Sequence, residues 1–257
     1  MIRKNLLFLF LSFATMSVFA QTSIKDVRTH PECYFLQTGD VASSLQLLPP
    51  PPAPGSTLFQ NDEARYKWGK AQRNTPRGDQ AYTDSNLDGE GVAYALSEAF
   101  GIKISKETTP EIYKLVTKMR EDAGDFATRE AKNHYMRIRP YSYYKEQTCN
   151  PEQQAGLSTN GSYPSGHTAI GWAEALVLAE INVDRQNEIL KRGYEMGESR
   201  VICGYHFQSD VDAARIVASA VVARLHANKT FMKQLNKAKA EFARLVKAGK
   251  VKKSGVQ

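Results

Sequence analysis

The sequence predicts an all-α protein, a compact single-domain helical bundle with a buried central helix and its site at helix ends. Three observations predict it. Downstream of Phe59 apolar residues recur at the three- and four-residue spacings of one helical face. Alternating runs of β-branched residues, the mark of strands, are scarce over the same stretch. Two helix starts are marked by proline and a capping residue, at Thr109-Pro110-Glu111 and at Pro164-Ser165-Gly166-His167.

The chain opens Met-Ile-Arg-Lys-Asn, continues in a mostly apolar run from Leu6 to Val18, and reads Val18-Phe19-Ala20 before Gln21. A basic start, an apolar core too short to span a bilayer and small residues before the break describe a secretory signal peptide over residues 1–20. A retained anchor is the weaker reading. Residues 21–257 then form one domain, in the periplasm or secreted. Residues 21–57 read as an extended lead-in ending in Pro49 to Pro52, Ala53, Pro54 and Gly55. Four consecutive prolines exclude a helix or central strand, so a stiff polyproline-like segment wraps the surface.

Residues 60–73 and 77–101 read as two or three helical segments, broken near Thr75-Pro76 and at Gly89 and Gly91. From Thr109 the positions Ile112, Leu115, Val116, Met119, Ala123, Phe126 and Ala127 keep a helical period. That helix is expected to run through Lys132 towards Met136 and to stop before Arg139-Pro140. Residues 141–163 read as a loop. The next helix, Thr168 to Ile181, is apolar on nearly every face and belongs in the middle of the fold. Asp184 is expected to cap a helix ending about Glu198. A helix over 207–227 and a last amphipathic one from Phe231 to Val246 close the chain.

With 34 basic and 27 acidic residues the formal charge is +7, and loss of Arg3 and Lys4 lowers it to +5. The lysines concentrate after Lys229, where they read as a solvated face; neither a nucleic-acid polymer nor a membrane is an expected partner. No later apolar run reaches a spanning length, because Glu174, Glu180, Asp212 and Arg215 interrupt the two best candidates. Three cysteines, Cys33, Cys149 and Cys203, allow one bridge in an oxidising compartment.

Three separated runs carry chemistry. The first holds Lys132 and Arg139-Pro140, the second Pro164-Ser165-Gly166-His167, and the third Ser199-Arg200 with His206 and Asp210. Lys132, Arg139 and Arg200 supply three cations, two of them guanidinium forks that match phosphate oxygens. Ser165 and Gly166 stand at a helix N-terminus, where unpaired N–H groups favour an anion and Gly166 admits close approach. His206 and Asp210, four apart, would share a face if their segment is helical. His30, His134 and His226 lie outside these runs and read as structural. Asp210 with Asp212 makes a poor metal pair, and no metal or cofactor is expected. Glu121, about three helical turns before Lys132, reads as solvated or salt-bridged rather than as pocket lining.

The blocks Lys-x6-Arg-Pro, Pro-Ser-Gly-His and Ser-Arg-x5-His-x3-Asp resemble the signature of the type 2 phosphatidic acid phosphatase superfamily, which includes the vanadium haloperoxidases. Every signature position is filled. Asn160-Gly161-Ser162-Tyr163 and the run from Ile170 to Asp210 resemble the secreted class A bacterial nonspecific acid phosphatases over most of the mature chain. The resemblance implies a vanadate-sensitive hydrolase of organic phosphomonoesters, nucleotides included, and a homo-oligomer. It implies that His206 is the nucleophile, that Asp210 orients it, and that His167 is general acid and then base. His206 would be neutral and His167 charged. Lys132, Arg139, Ser165, Gly166 and Arg200 would hold the phosphate. A nucleotide-preferring phosphohydrolase or phosphotransferase, or a non-catalytic phosphate-binding protein, are the alternatives. A haloperoxidase fits less well, and a membrane lipid phosphatase would need spanning helices. Convergence of Arg139 and Arg200 on one phosphate favours a Cys149–Cys203 bridge with Cys33 free, although their separation is not legible in sequence.

Overall fold

The computed structural model describes residues 31–85 and 91–255. The expected signal peptide over residues 1–20, the start of the lead-in, His30 and the break at Gly89 lie outside the described residues. Among those described there is no strand, and no helix is long and apolar enough to cross a membrane. The fold is all-α, as the helical period predicts.

Helix α1 is Thr57–Gln72, started by Ser56, whose Oγ accepts from the Phe59 N–H at 3.2 Å. Helix α2 is Pro76–Asp84 with Thr75 at its cap, and short turns at Gly91–Ala95 and Ser97–Phe100 follow. Helix α3 is Pro110–Glu121. Thr109 occupies its N-cap without capping it, because the Thr109 hydroxyl accepts from the Ser105 N–H. The Glu241 carboxylate takes over, accepting from the Glu111 and Ile112 N–H groups, the latter at 2.9 Å. The last helix thereby locks onto the positive end of α3.

The helix expected to continue to Lys132 is interrupted. A π-turn, Asp122–Phe126, separates α3 from α4, Arg129–Tyr135. Its cause lies in the lead-in: the Asp122 carboxylate accepts from the Phe35 and Leu36 N–H groups, both at 3.0 Å. The wide turn adds a residue and breaks the face shared by Glu121 and Lys132. Glu121 is buried and paired with Arg120 at 3.1 Å.

Helix α5, Gly166–Ile181, is the buried centre. It packs between α6, Gln186–Ile202, and α7, Gln208–His226, with α3 and the π-turn on another side. The α5–α6 approach is close enough that a Cβ on Gly193 would lie 2.4 Å from the Ala175 Cβ. Fully buried Leu178, Ile189, Val221 and Phe231 join this core, each contributing about 1.5–3 kcal/mol by leaving water. Helix α8, Lys229–Lys247, closes the bundle under an Asn228 cap.

Helix α6 departs from expectation at both ends. A 3-10 turn, Val183–Arg185, contains Asp184, and the helix begins after it. It then runs on to Ile202 rather than stopping at Glu198, so Ser199 and Arg200 occupy its last turn. The link to α7 reverses at Gly204, whose φ of 79° favours glycine. Cys149 and Cys203 are bridged and Cys33 is not. The bridge ties this link to the segment following Arg139.

Candidate active site

His206 does not lie on a helix. It stands in the turn ahead of α7, and Asp210 is in the first turn of that helix. The expected pairing arises differently: Asp210 folds back to cap its own helix, Oδ2 accepting from the Phe207 N–H at 2.9 Å. The same oxygen lies 3.3 Å from His206 Nδ1. The other ring nitrogen, Nε2, is 3.0 Å from Arg139 Nη1. Arginine can only donate, so Nε2 is the acceptor and Nδ1–H faces Asp210. Burial first, and then the Arg139 charge, push His206 well below the usual histidine range, against an opposing pull from Asp210. Its imidazole is neutral, with the lone pair of Nε2 turned to the cations. Burial opposes ionisation of Asp210 but is outweighed by Arg137 and by hydrogen bonds from His206 and Ser162, so it is an anion.

The three expected cations converge. Arg139 Nε donates to the carbonyls of Leu157 at 3.0 Å and Asn160 at 3.2 Å, and Nη1 to that of Tyr205 at 3.2 Å. Lys132 Nζ donates to the Gly161 carbonyl at 2.8 Å. Arg200 is 1% exposed and stacks 4.1 Å over the Tyr205 ring. Its Nε, Nη1 and Nη2 are buried without a hydrogen-bond partner among the described residues. Burial drives its pKa well down from the ordinary arginine value, to about 9. His167 Nε2 is likewise buried and unpartnered. Burial, then Arg200, His206 and Arg139, push His167 well below the usual histidine range, with the Ser85 backbone opposing. Among protein groups alone both histidines are thus pushed toward the neutral form.

The start of α5 is more committed than its sequence suggests. The Ser165 N–H donates to the Asp210 carbonyl at 3.0 Å. Its Oγ caps the helix, accepting from the Thr168 N–H and from the Thr168 hydroxyl at 2.9 Å. Ser165 can thus offer an anion its hydroxyl hydrogen but not its amide. Gly166 fits closely against the π-turn: a Cβ there would sit 3.2 Å from the Gly124 carbonyl oxygen.

Three supporting residues escaped the sequence reading. Arg137 donates to Asp210 Oδ1 at 2.6 Å and to Asp62 Oδ2 at 2.8 Å, and Ser162 donates to Asp210 Oδ2. The signal for Arg137 was its place two residues before Arg139, and that for Ser162 its place in the Asn160-Gly161-Ser162-Tyr163 run; Asp62 gave none. Ser199, a signature residue, turns away from the cations and donates to Asp84 at 2.6 Å, where Arg192 also pairs. Asp84 precedes Ser85, so this contact anchors the backbone beside His167. Among the described residues no group of three or more His, Cys, Asp or Glu side chains could hold a metal ion.

Residues 123–232, which contain all eight expected site residues, match the PAP2 superfamily. The chain is 60% identical to a non-specific acid phosphatase of Providencia stuartii over 247 residues, 95% of this chain and 100% of that one. It is 43% identical to a non-specific acid phosphatase of Salmonella typhimurium, over 76% of this chain and 78% of the relative. An acid phosphatase of Zymomonas mobilis is 35% identical over 77% of this chain and 75% of its own. Near-complete coverage at such identity, together with the superfamily match, places the chain among the non-specific acid phosphatases of the PAP2 superfamily.

Proposed function

We propose that this protein is a periplasmic or secreted acid phosphatase that hydrolyses organic phosphomonoesters, nucleotides among them, through a phosphohistidine at His206. The observation that carries the reading is Arg200. A buried guanidinium with three unpartnered nitrogens is expensive in protein alone and becomes favourable when a dianion fills the space in front of it. Lys132, Arg139, the Ser165 hydroxyl and the Gly166 amide would take the remaining oxygens.

His206 Nε2 attacks phosphorus while Asp210 accepts from Nδ1–H and balances the charge growing on the ring. The P–O bond to the leaving group breaks, and His167 protonates the departing alkoxide. A seated dianion offsets the cations that depress His167 and restores the proton it needs. His167, now neutral, then takes a proton from water, the water oxygen attacks phosphorus, and the P–N bond to His206 breaks. The cations do the electrostatic work, so no metal enters the scheme. A non-catalytic phosphate-binding protein would use Arg200 but not the oriented lone pair of His206.

Hydrolysis of p-nitrophenyl phosphate at acid pH, with chelator present, tests this with the wild type and His206→Ala. The expected result is turnover by the first and none by the second. Equal rates would overturn the mechanism, and loss of wild-type activity to chelator would point to a metal. Amino-terminal sequencing of the exported protein should begin at Gln21.

A further inference from the structure

The acidic partner of the nucleophile has a partner of its own. Arg137 is nearly buried, its side chain 9% exposed, between two carboxylates that are not exposed at all, Asp210 at 2.6 Å and Asp62 at 2.8 Å. Its Nη1 also donates to Ser209 Oγ at 2.8 Å, and its guanidinium lies 4.4 Å over the Phe207 ring. Asp62, from α1, accepts in addition from the Ser209 N–H at 2.8 Å and the Ser209 hydroxyl at 2.6 Å. Of the three residues between His206 and Asp210, Phe207 is thus held by Arg137 and Ser209 by both Arg137 and Asp62. Asp210, Asp62, Ser209 and Phe207, the residues Arg137 touches here, include none of the expected phosphate ligands.

We propose that Arg137, anchored from behind by Asp62, is a positioning residue that keeps Asp210 ionised and aimed at His206 Nδ1, so that Nε2 presents its lone pair down to low pH. The proposal rests on His206 as the nucleophile. An acid phosphatase works where carboxylates begin to protonate, and a protonated Asp210 could no longer fix the histidine tautomer. Arg137 prevents this by pairing one carboxylate oxygen. The other oxygen is left to accept from His206, Phe207 and Ser162. The remaining titratable or charged groups acting on Asp210 or through it are His206, Arg139 and Tyr163. Arg139 is already committed to backbone carbonyls and to His206 Nε2, and Tyr163 Oη donates to the Pro49 carbonyl. Neither replaces Arg137.

In Arg137→Gln, Asp62 and Asp210 face one another without the cation between them, and one takes up a proton. The acid limb of the kcat profile with p-nitrophenyl phosphate should rise by about one pH unit or more, and kcat at the optimum should fall roughly tenfold. The inhibition constant for inorganic phosphate should stay within about twofold, since Arg137 is not among the phosphate ligands. Asp62→Asn added to Arg137→Gln removes the competing carboxylate and should return the acid limb part of the way. Arg137→Lys keeps the charge but not the two-pronged reach; its acid limb should move less while kcat still falls. If Arg137→Gln does not fold, Arg137→Lys with Asp62→Asn carries the test through kcat and phosphate inhibition. An unmoved acid limb in folded Arg137→Gln, wild-type kcat in Arg137→Lys, or phosphate inhibition weakening in step with kcat would overturn the proposal. Activity surviving in His206→Ala would instead overturn the reading on which it rests.

Discussion

Arg200→Met should leave the protein inactive and more stable than the wild type. Burial lowers the arginine pKa from its ordinary value to about 9, which at about 1.4 kcal/mol per pH unit is a penalty on the order of 5 kcal/mol. Both values lie far above an assay at pH 5 to 7, so the penalty is constant there. Methionine fills a similar slot without charge. It loses the stacking on Tyr205, worth about 1 kcal/mol, and leaves an imperfect fit costing about 1–2 kcal/mol more. The balance is roughly 2 kcal/mol in favour of the variant, a rise of about 4–8 °C in Tm for a chain of this size. Phosphate should reverse the order. At about a hundredfold excess over its Kd it stabilises the wild type by about 2.7 kcal/mol and should not stabilise the variant. Thermal unfolding at pH 6 with and without inorganic phosphate reads both effects. A variant less stable than wild type without phosphate, yet still stabilised by it, would refute the assignment of Arg200 as an anion ligand held at a cost.

The buried Glu174 on α5 makes a second prediction. Burial lifts its carboxyl from 4.5 to about 8. A value raised on folding stabilises fully below about pH 4.5 and loses that contribution by about pH 8, so raising the pH from 5 to 7 should cost about 2–3 kcal/mol. Glu174→Gln should flatten this dependence in pH-stepped melts, and an unchanged slope would contradict it. Asp210→Asn should lower kcat on the order of a thousandfold or more, since an amide can donate to Nδ1 and favour the wrong tautomer; the phosphate inhibition constant should change little. Opening the Cys149–Cys203 bridge, whose cysteines are 54 positions apart, should cost about 4 kcal/mol on loop entropy. Melts of Cys149→Ser/Cys203→Ser against the wild type check this.

Much of this molecule is legible in its sequence where the signal is local. The period from Ile112 to Met119, the Pro110 start and the apolar faces of α5 are decided within a few turns, and the structure keeps them. The three blocks were legible because each holds its chemistry at fixed spacing. What escaped depends on partners distant in the chain. The π-turn exists because Asp122 reaches Phe35 and Leu36, 87 and 86 positions away. Glu241 rather than Thr109 caps α3, from 129 positions downstream. Ser165 spends its amide on the carbonyl of Asp210, and Asp62 is found through Arg137 and Ser209, both more than 70 positions away. Even the His206–Asp210 pair, four apart as a helical face requires, is joined by a cap and a turn instead.

The most direct test of the account is to catch the covalent intermediate. Wild-type enzyme mixed with excess substrate, quenched in base within the first turnovers and digested for peptide mass spectrometry, should carry a base-stable, acid-labile phosphoryl group on His206. The same peptide from Asp210→Asn should carry far less. Phosphate found on His167 or on no residue during active turnover would contradict the assignment of His206 as the nucleophile.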